Sequence, residues 1–249
     1  MKAKSFIAIL LLMAASAQTA SAQKVIIYHS NAPATELKAS AIDSIVFVPE
    51  ASMPSYLSCP DNHHPHAIDL GLPSGTKWCC CNVGATAPES FGGYYAWGET
   101  STKEVYERNS YAHFQTENGT KYIDIGTDIA GTSYDVAHVL MGAPWRMPSV
   151  DMVKELVENC TYQWTKLNDV DGILVTGSNG GEIFLPAASG IWGTNINNLG
   201  KAGGYWTSVD YRDYAEYACC LSFNAKPNIW SWESHTSRYA GYTVRAVRP

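Results

Sequence analysis

The sequence predicts an α+β domain in which two short helices precede a loop-rich antiparallel sheet. Helical spacing of apolar residues occurs twice, both times before Thr161, and beyond that point short β-type runs alternate with Gly, Asn and Asp turns. Of the 249 residues only 16% are charged and 12% are aromatic, with 8 Trp and 15 Tyr, which predicts a compact aromatic core and excludes a disordered or coiled-coil chain. The formal charge of −6 and scattered Lys and Arg give no basic footprint, so nucleic acid and anionic membranes are excluded as partners.

Residues 1–22 read as a signal peptide. Lys2 and Lys4 precede the apolar run Phe6–Ala15, and Ala20-Ser21-Ala22 has the small-x-small cleavage pattern. The apolar run is far shorter than the ~20 residues that a spanning helix needs, and no later segment could span a bilayer. The expected product is exported to the periplasm, the outer surface or the extracellular space.

Residues 23–48 form a small β segment: Lys24–Tyr28 is one strand, Asn31–Pro33 a turn and Ala41–Val48 a second strand. Residues 49–66 read as a Pro-, Ser- and His-rich linker. It carries one chemical cluster, Asp61, His63, His64 and His66; because Pro65 breaks a helical ligand arrangement, the cluster reads as exposed polar linker rather than a metal site.

The main domain spans residues 67–249. Thr132–Met141 is the first helix, with Val136, Val139 and Leu140 toward the core. The second starts at the N-cap Ser149, with Met152, Val153, Leu156 and Val157 at helical spacing. Gln163–Leu167, Ile173–Thr176 and Glu182–Leu185, separated by turns at 168–172 and 177–181, form a β-meander. Further strands lie at Gly204–Val209, Tyr217–Phe223 and Tyr242–Val247.

The seven cysteines are Cys59, Cys79, Cys80, Cys81, Cys160, Cys219 and Cys220. An odd number leaves at least one thiol unpaired in an oxidising compartment. Strand parity puts Cys79 and Cys81 on one face and Cys80 with Trp78 on the other; it puts Cys219 with Tyr217, Leu221 and Phe223, and Cys220 away with Ser222. Without Cys-x-x-Cys spacing they read as buried or structural, and no metal or cofactor is expected.

Gly-x-Ser-x-Gly, His-Glu-x-x-His, Walker and dinucleotide motifs are absent. The Asn168–Gly172 loop lacks the distal bidentate Glu of a calcium loop and reads as a hairpin turn. Glu99 and Glu233, with His235, are the weak candidates for acid–base chemistry, and no catalytic residue is assigned. Asn118-Gly119-Thr120 and Asn159-Cys160-Thr161 match the N-glycosylation pattern. Aromatic residues crowd the last sixty positions among Gly, Asn and Ser. Flat rings stack on sugars, which makes Trp192, Asn195, Trp206, Trp230, Trp232, Glu233 and Arg238 the candidate ligand-binding residues, although most such rings belong in the core.

Several blocks carry a resemblance: Asp69-Leu-Gly-Leu-Pro-Ser-Gly-Thr-Lys-Trp78, Cys81-Asn-Val-Gly-Ala-Thr86, Gly92-Gly-Tyr-Tyr-Ala-Trp-Gly-Glu99, Tyr134-Asp-Val-Ala-His138, Trp145-Arg-Met-Pro148, Glu158-Asn-Cys-Thr161, Ile183-Phe-Leu-Pro-Ala-Ala188, Gly204-Tyr-Trp-Thr-Ser208 and Arg238-Tyr-Ala-Gly-Tyr-Thr-Val-Arg245. In this order they resemble the Fibrobacter succinogenes major paralogous domain family of exported Bacteroidota proteins. The resemblance implies a fold similar to C-type-lectin-like domains and formylglycine-generating enzymes, with the strands near Asp69–Trp78 and Tyr242–Val247 side by side. It also implies Cys81–Cys160 as the first-choice disulfide. Ile42–Phe47 resembles an N-terminal segment of the same bacteria, and Asp43-Ser44-Ile45 their short O-glycosylation pattern. The cysteine arrangement of the oxidases and the Trp-Asn-Asp and Glu-Pro-Asn motifs of calcium-dependent lectins are absent. The expected function is a non-catalytic module recognising an extracellular glycan or protein. The alternatives are a structural or adhesive surface component docking through residues 23–48, and a degenerate relative of the oxidases.

Overall fold

The structure, a computed structural model, describes residues 59, 63–116, 119, 121–225 and 229–249, together with the backbone of two short strands at 24–27 and 35–38. The expected signal peptide, the strand at Ala41–Val48, the Asp43–Ile45 motif, Asp61, and Asn118 and Thr120 lie outside the described residues.

The chain divides into two units, Met1–Ala51 and Ser52–Pro249. In the first, β1 (Lys24–Ile27) pairs antiparallel with β2 (Thr35–Lys38), Ile27 opposite Thr35. β1 matches the expected run, and its partner comes from Thr35–Lys38, a segment whose charged residues give no strand signal.

The second unit is α+β and mostly strand. In chain order it contains β3 (Ala67–Asp69), β4 (Lys77–Asn82), β5 (Phe114–Gln115), β6 (Lys121–Tyr122), α1 (Val136–Met141), α2 (Val150–Asn159), β7 (Thr161–Leu167), β8 (Val170–Thr176) and β9 (Glu182–Pro186). The chain continues through β10 (Gly190–Trp192), β11 (Asn195–Asn197), β12 (Ala202–Asp210), β13 (Tyr217–Asn224), β14 (Ile229–Ser237), β15 (Gly241–Tyr242) and β16 (Arg245–Arg248). Three antiparallel three-stranded sheets dominate, ordered β16-β4-β3, β7-β8-β9 and β12-β13-β14, with β11-β10-β15 and the β5-β6 hairpin beside them.

Local chemistry explains the boundaries. Ser149 caps α2 by accepting the Met152 amide at 3.2 Å, and Val153 and Leu156 are buried beneath it. Helix α1 is shorter than expected because the Asp135 carboxylate caps it: Oδ1 accepts from the His138 amide, and Oδ2 accepts from the amides of Gly131 and Met147. That anchor turns Val136 and Ala137 inward and leaves Val139 and Leu140 about half exposed, correcting the expected core face. The β7–β8 turn is tighter than the 168–172 loop, because Asn168 and Asp169 both adopt positive φ and Leu167 pairs directly with Val170.

A second correction concerns β13. Its register shifts between Cys220 and Ser222, so Ala218 and Cys220 are buried before the bulge and Leu221 and Phe223 after it. Two steps on β13 match three on β14 there, from Ser234 to Ser231, and across this irregularity Cys220 and Leu221 are both buried, so Cys220 enters the core instead of facing away.

The core is aromatic, as the composition predicts: Trp78, Trp97, Tyr205, Trp206, Phe184 and Phe223 are fully buried. Glycine makes room for the rings, since a Cβ on Gly204 would sit 2.6 Å from the Tyr242 ring. Strand β16 lies beside β4, Val247 opposite Trp78, which puts the two ends of the domain side by side as the resemblance implies.

The β16–β4 ladder is interrupted: Val247 pairs with Trp78 and Arg245 with Asn82, so two steps on one strand match four on the other. Arg245, 1% exposed, fills the gap. Its guanidinium donates to the carbonyls of Cys79, Cys80 and Phe184 and to Asn82 Oδ1. Burying a cation costs several kcal/mol, and charge-assisted hydrogen bonds of about 1.5–3 kcal/mol each to four oxygens offset that cost. Replacing Arg245 with Met strands these acceptors, so the urea midpoint falls by the equivalent of about 3 kcal/mol or more. Arg245→Lys, a point charge that cannot span all four, recovers only part. An unchanged midpoint in Arg245→Met would show that the guanidinium does not hold the strand.

Candidate functional site

The strand that Arg245 holds presents the densest group of chemically active side chains in the described residues. β3 pairs with β4 with Ala67 opposite Cys79, and the Cys80 amide donates to the His66 carbonyl at 3.0 Å. The residues leading into β3 are thereby laid along the face from which Cys80 projects. Cys59, His64, His66 and Cys80 converge there, their donor atoms all within 4.8 Å of one another. His64 Nδ1 is 3.3 Å and His66 Nδ1 3.8 Å from Cys80 Sγ, and the two imidazoles meet edge to face at 5.2 Å.

This corrects two expectations: that His64 and His66 are exposed like His63, and that no metal-ligating set exists. Cys59, His64 and His66 are half-buried and Cys80 is buried. Ligands need no helix here: an extended segment aims His64 and His66 the same way at i, i+2, whatever Pro65 does to helical spacing. Sequence reasoning also missed the part played by Cys80, because its nearness to the histidines is created by strand pairing across 14 residues.

The sulfurs are electrostatically unequal. The Cys80 sulfur interacts with the thiols of Cys59, Cys79 and Cys81, with Cys81 Sγ 3.4 Å away, and the His66 amide donates to it at 3.0 Å. These bonds push the Cys80 thiol well below its ordinary range, while the same bonds and burial push the other three up. The guanidinium of Arg245 pulls those three downward without reversing the shift. Away from this group, burial pushes Cys160 up to about 11.

All seven cysteines are free thiols, so the Cys81–Cys160 bridge is not formed. Cys81 Sγ lies 3.4 Å from Cys80 Sγ instead.

The expected ligand-binding residues do not form one surface. Trp206 is core, 1% exposed, its indole donating to the Tyr95 carbonyl at 2.7 Å. Arg238 is 4% exposed, lies 4.4 Å over the Trp97 ring and donates to Tyr111 Oη. Both leave the candidate contact set, because their polar atoms are satisfied inside the fold. Trp230 stacks on Tyr162 at 5.4 Å, and Trp232 lies under Lys154 of α2 at 5.0 Å, so these half-buried rings pack the third sheet against its neighbours. Trp192 packs edge-on against Tyr242, with exposed Asn195 opposite it in the β10–β11 hairpin.

An aromatic ladder outside the candidate ligand-binding residues sits at the β12–β13 turn. Tyr211 stacks on His235 of β14 at 4.0 Å, and Tyr214, 56% exposed, lies nearly parallel to Tyr211 at 6.2 Å. Tyr217 flanks His235 at 5.4 Å, and exposed Glu233 shares the β14 face with His235. At its foot, Asp210 keeps Oδ1 buried without a hydrogen-bond partner among the described residues, and burial pushes its carboxyl above the usual range. Of the acid–base candidates, Glu99 is held by Lys103 at 2.8 Å and by the Ala112 amide at 2.8 Å; among the described residues no hydrogen bond joins it to Glu233.

A thiol count tests the cysteine assignment. Chelated and denatured protein kept from oxidants gives seven reactive thiols, and native protein withholds those of the buried Cys79, Cys80, Cys81 and Cys220 until it unfolds. A denatured count of five would establish a bridge.

No family model matches the chain, and neither a curated protein nor a solved structure matches it.

Proposed function

We propose that the chain is an exported, non-catalytic binding module of lectin-like architecture that recognises an extracellular glycan, and that it belongs to the Fibrobacter succinogenes major paralogous domain family. The ordered sequence blocks, the α+β architecture and the adjacent terminal strands support the family and fold assignment. The observation that carries the function is the ladder of Tyr211, Tyr214 and His235, whose outermost ring turns more than half its surface to solvent. An exposed aromatic face is costly to leave wet and matches the apolar face of a sugar ring. The exposed side chains of Arg212, Asp213 and Glu233 supply hydroxyl partners at its margin.

The contact surface is therefore assigned to the tyrosine ladder. The tryptophans at 206, 230 and 232 support the sheet behind it.

Glycan-array binding tests this. Tyr214→Ala removes an exposed ring, so it leaves the melting temperature within about 1 °C of the parent and lowers glycan affinity at least ~10-fold, the loss of one stacking contact of about 1.5 kcal/mol. Tyr214→Phe keeps most of the binding. No bound glycan on the array, or binding unaffected by Tyr214→Ala, counts against the assignment; in the first case, capture of a defined protein partner lost in the same variant would place the function with the protein-binding alternative.

A further inference from the structure

Beyond glycan recognition, we propose that Cys59, His64, His66 and Cys80 bind one zinc ion in a closed tetrahedral site that fastens the segment before β3 to strand β4. Zinc takes thiolate at about 2.3 Å and imidazole at about 2.0 Å, and in a tetrahedron these bonds put ligand atoms about 3.3–3.8 Å apart. His64 Nδ1 and His66 Nδ1 already stand 3.3 and 3.8 Å from Cys80 Sγ, and all four donors fall within 4.8 Å. Closing on an ion needs shifts of about an ångström.

The donor set selects the ion. Two sulfurs and two imidazoles arranged around a point suit zinc, whereas calcium and magnesium require oxygen ligands. Four protein ligands leave no open position for water, so the site is structural and adds no hydrolytic chemistry.

The surroundings suit a metal thiolate. The His66 amide donates to Cys80 Sγ at 3.0 Å, and the Cys81 thiol lies 3.4 Å from it, both positioned to share the charge of a ligating sulfur. Arg245 fixes the carbonyls of Cys79 and Cys80, and so fixes the backbone that carries the ligand. Binding forms two Zn–S and two Zn–N bonds. The two thiols release their protons to solvent, the imidazoles bind as neutral ligands, and two thiolates match the two charges of the ion.

The chain order gives the site a role. Cys59, His64 and His66 precede β3 in a stretch whose described part has no helix or strand, while Cys80 is in the central strand of its sheet. An ion held between them stabilises the folded arrangement by its binding free energy.

The full chain, refolded with zinc under a reductant, should retain one zinc per chain by mass spectrometry of the metal after gel filtration. Cobalt in its place should give the visible bands of a tetrahedral ion and a near-ultraviolet thiolate charge-transfer band. Cys59→Ser and His64→Ala each lower zinc affinity by ~100-fold or more, beyond the 10–100-fold typical of outer-shell losses. Cys160→Ser and Cys219→Ser, outside the cluster, retain one zinc. Far-ultraviolet circular dichroism identifies variants that fail to fold, and the cobalt spectrum of the parent tests the ligand set independently of any variant. Folded parent without zinc, an octahedral cobalt spectrum, full zinc retention in both ligand variants, or a Cys59–Cys80 disulfide in unreduced native protein would overturn the proposal.

Discussion

The guanidinium of Arg245 is the interaction on which the arrangement of this domain depends. It lies at a break in the β16–β4 ladder, where the backbone of β4 has lost its β16 partners, and it donates to oxygens of two strands, β4 and β9. A neutral side chain could fill the volume and would leave those oxygens buried and unpaired. Because two of the oxygens belong to Cys79 and Cys80, the same contact that closes the sheet also sets the direction in which the Cys80 sulfur points. The closing strand of the domain is thus coupled to the thiol–imidazole cluster at its opening strand.

A second buried arginine shows the same economy. Arg238 lies over Trp97 and donates to Tyr111 Oη and to the carbonyl of Ala215, tying the 94–123 region to the hairpin that carries the aromatic ladder. With few charged residues, the chain places two of its cations inside, Arg238 on the loop carbonyls of Ile123 and Ala215 and Arg245 at the break between β16 and β4. The aromatic core fits this architecture: Trp97 and Trp206 turn their indole N–H groups to the backbone carbonyls of Thr207, within β12, and of Tyr95. In a domain rich in short strands and long connections, rings with a polar edge satisfy backbone that aliphatic side chains would leave unpaired.

The elements legible in the sequence were those with local causes. Ser149 and the spacing of Val153 and Leu156 define α2, and Asn168 and Asp169 define the tight hairpin of the meander. Strand β14 was missed because its alternation is blurred: Trp230 and Trp232 face one side, Glu233 and His235 are exposed, and no residue of the strand with described burial is fully buried. Cys220 was placed on the wrong face because a bulge leaves no reliable mark in sequence. The ligand cluster was half legible. His64 and His66 stood out, but what makes them a site is the pairing of β3 with β4, a contact that no local pattern encodes. Trp206 and Arg238 looked like surface chemistry since their residue types suit a ligand equally well, and only burial distinguishes the two roles.

Strand pairing and the Arg245 bridge hold Cys80 against Cys59, His64 and His66, the arrangement proposed to bind zinc. Anomalous diffraction at the zinc edge from a crystal of the full chain tests it most directly. A zinc ion held by this cluster gives a single peak about 2.3 Å from the sulfurs of Cys59 and Cys80 and about 2.0 Å from one nitrogen each of His64 and His66. A peak bound by other residues, or no peak with Cys59 and Cys80 joined in a disulfide, would contradict it.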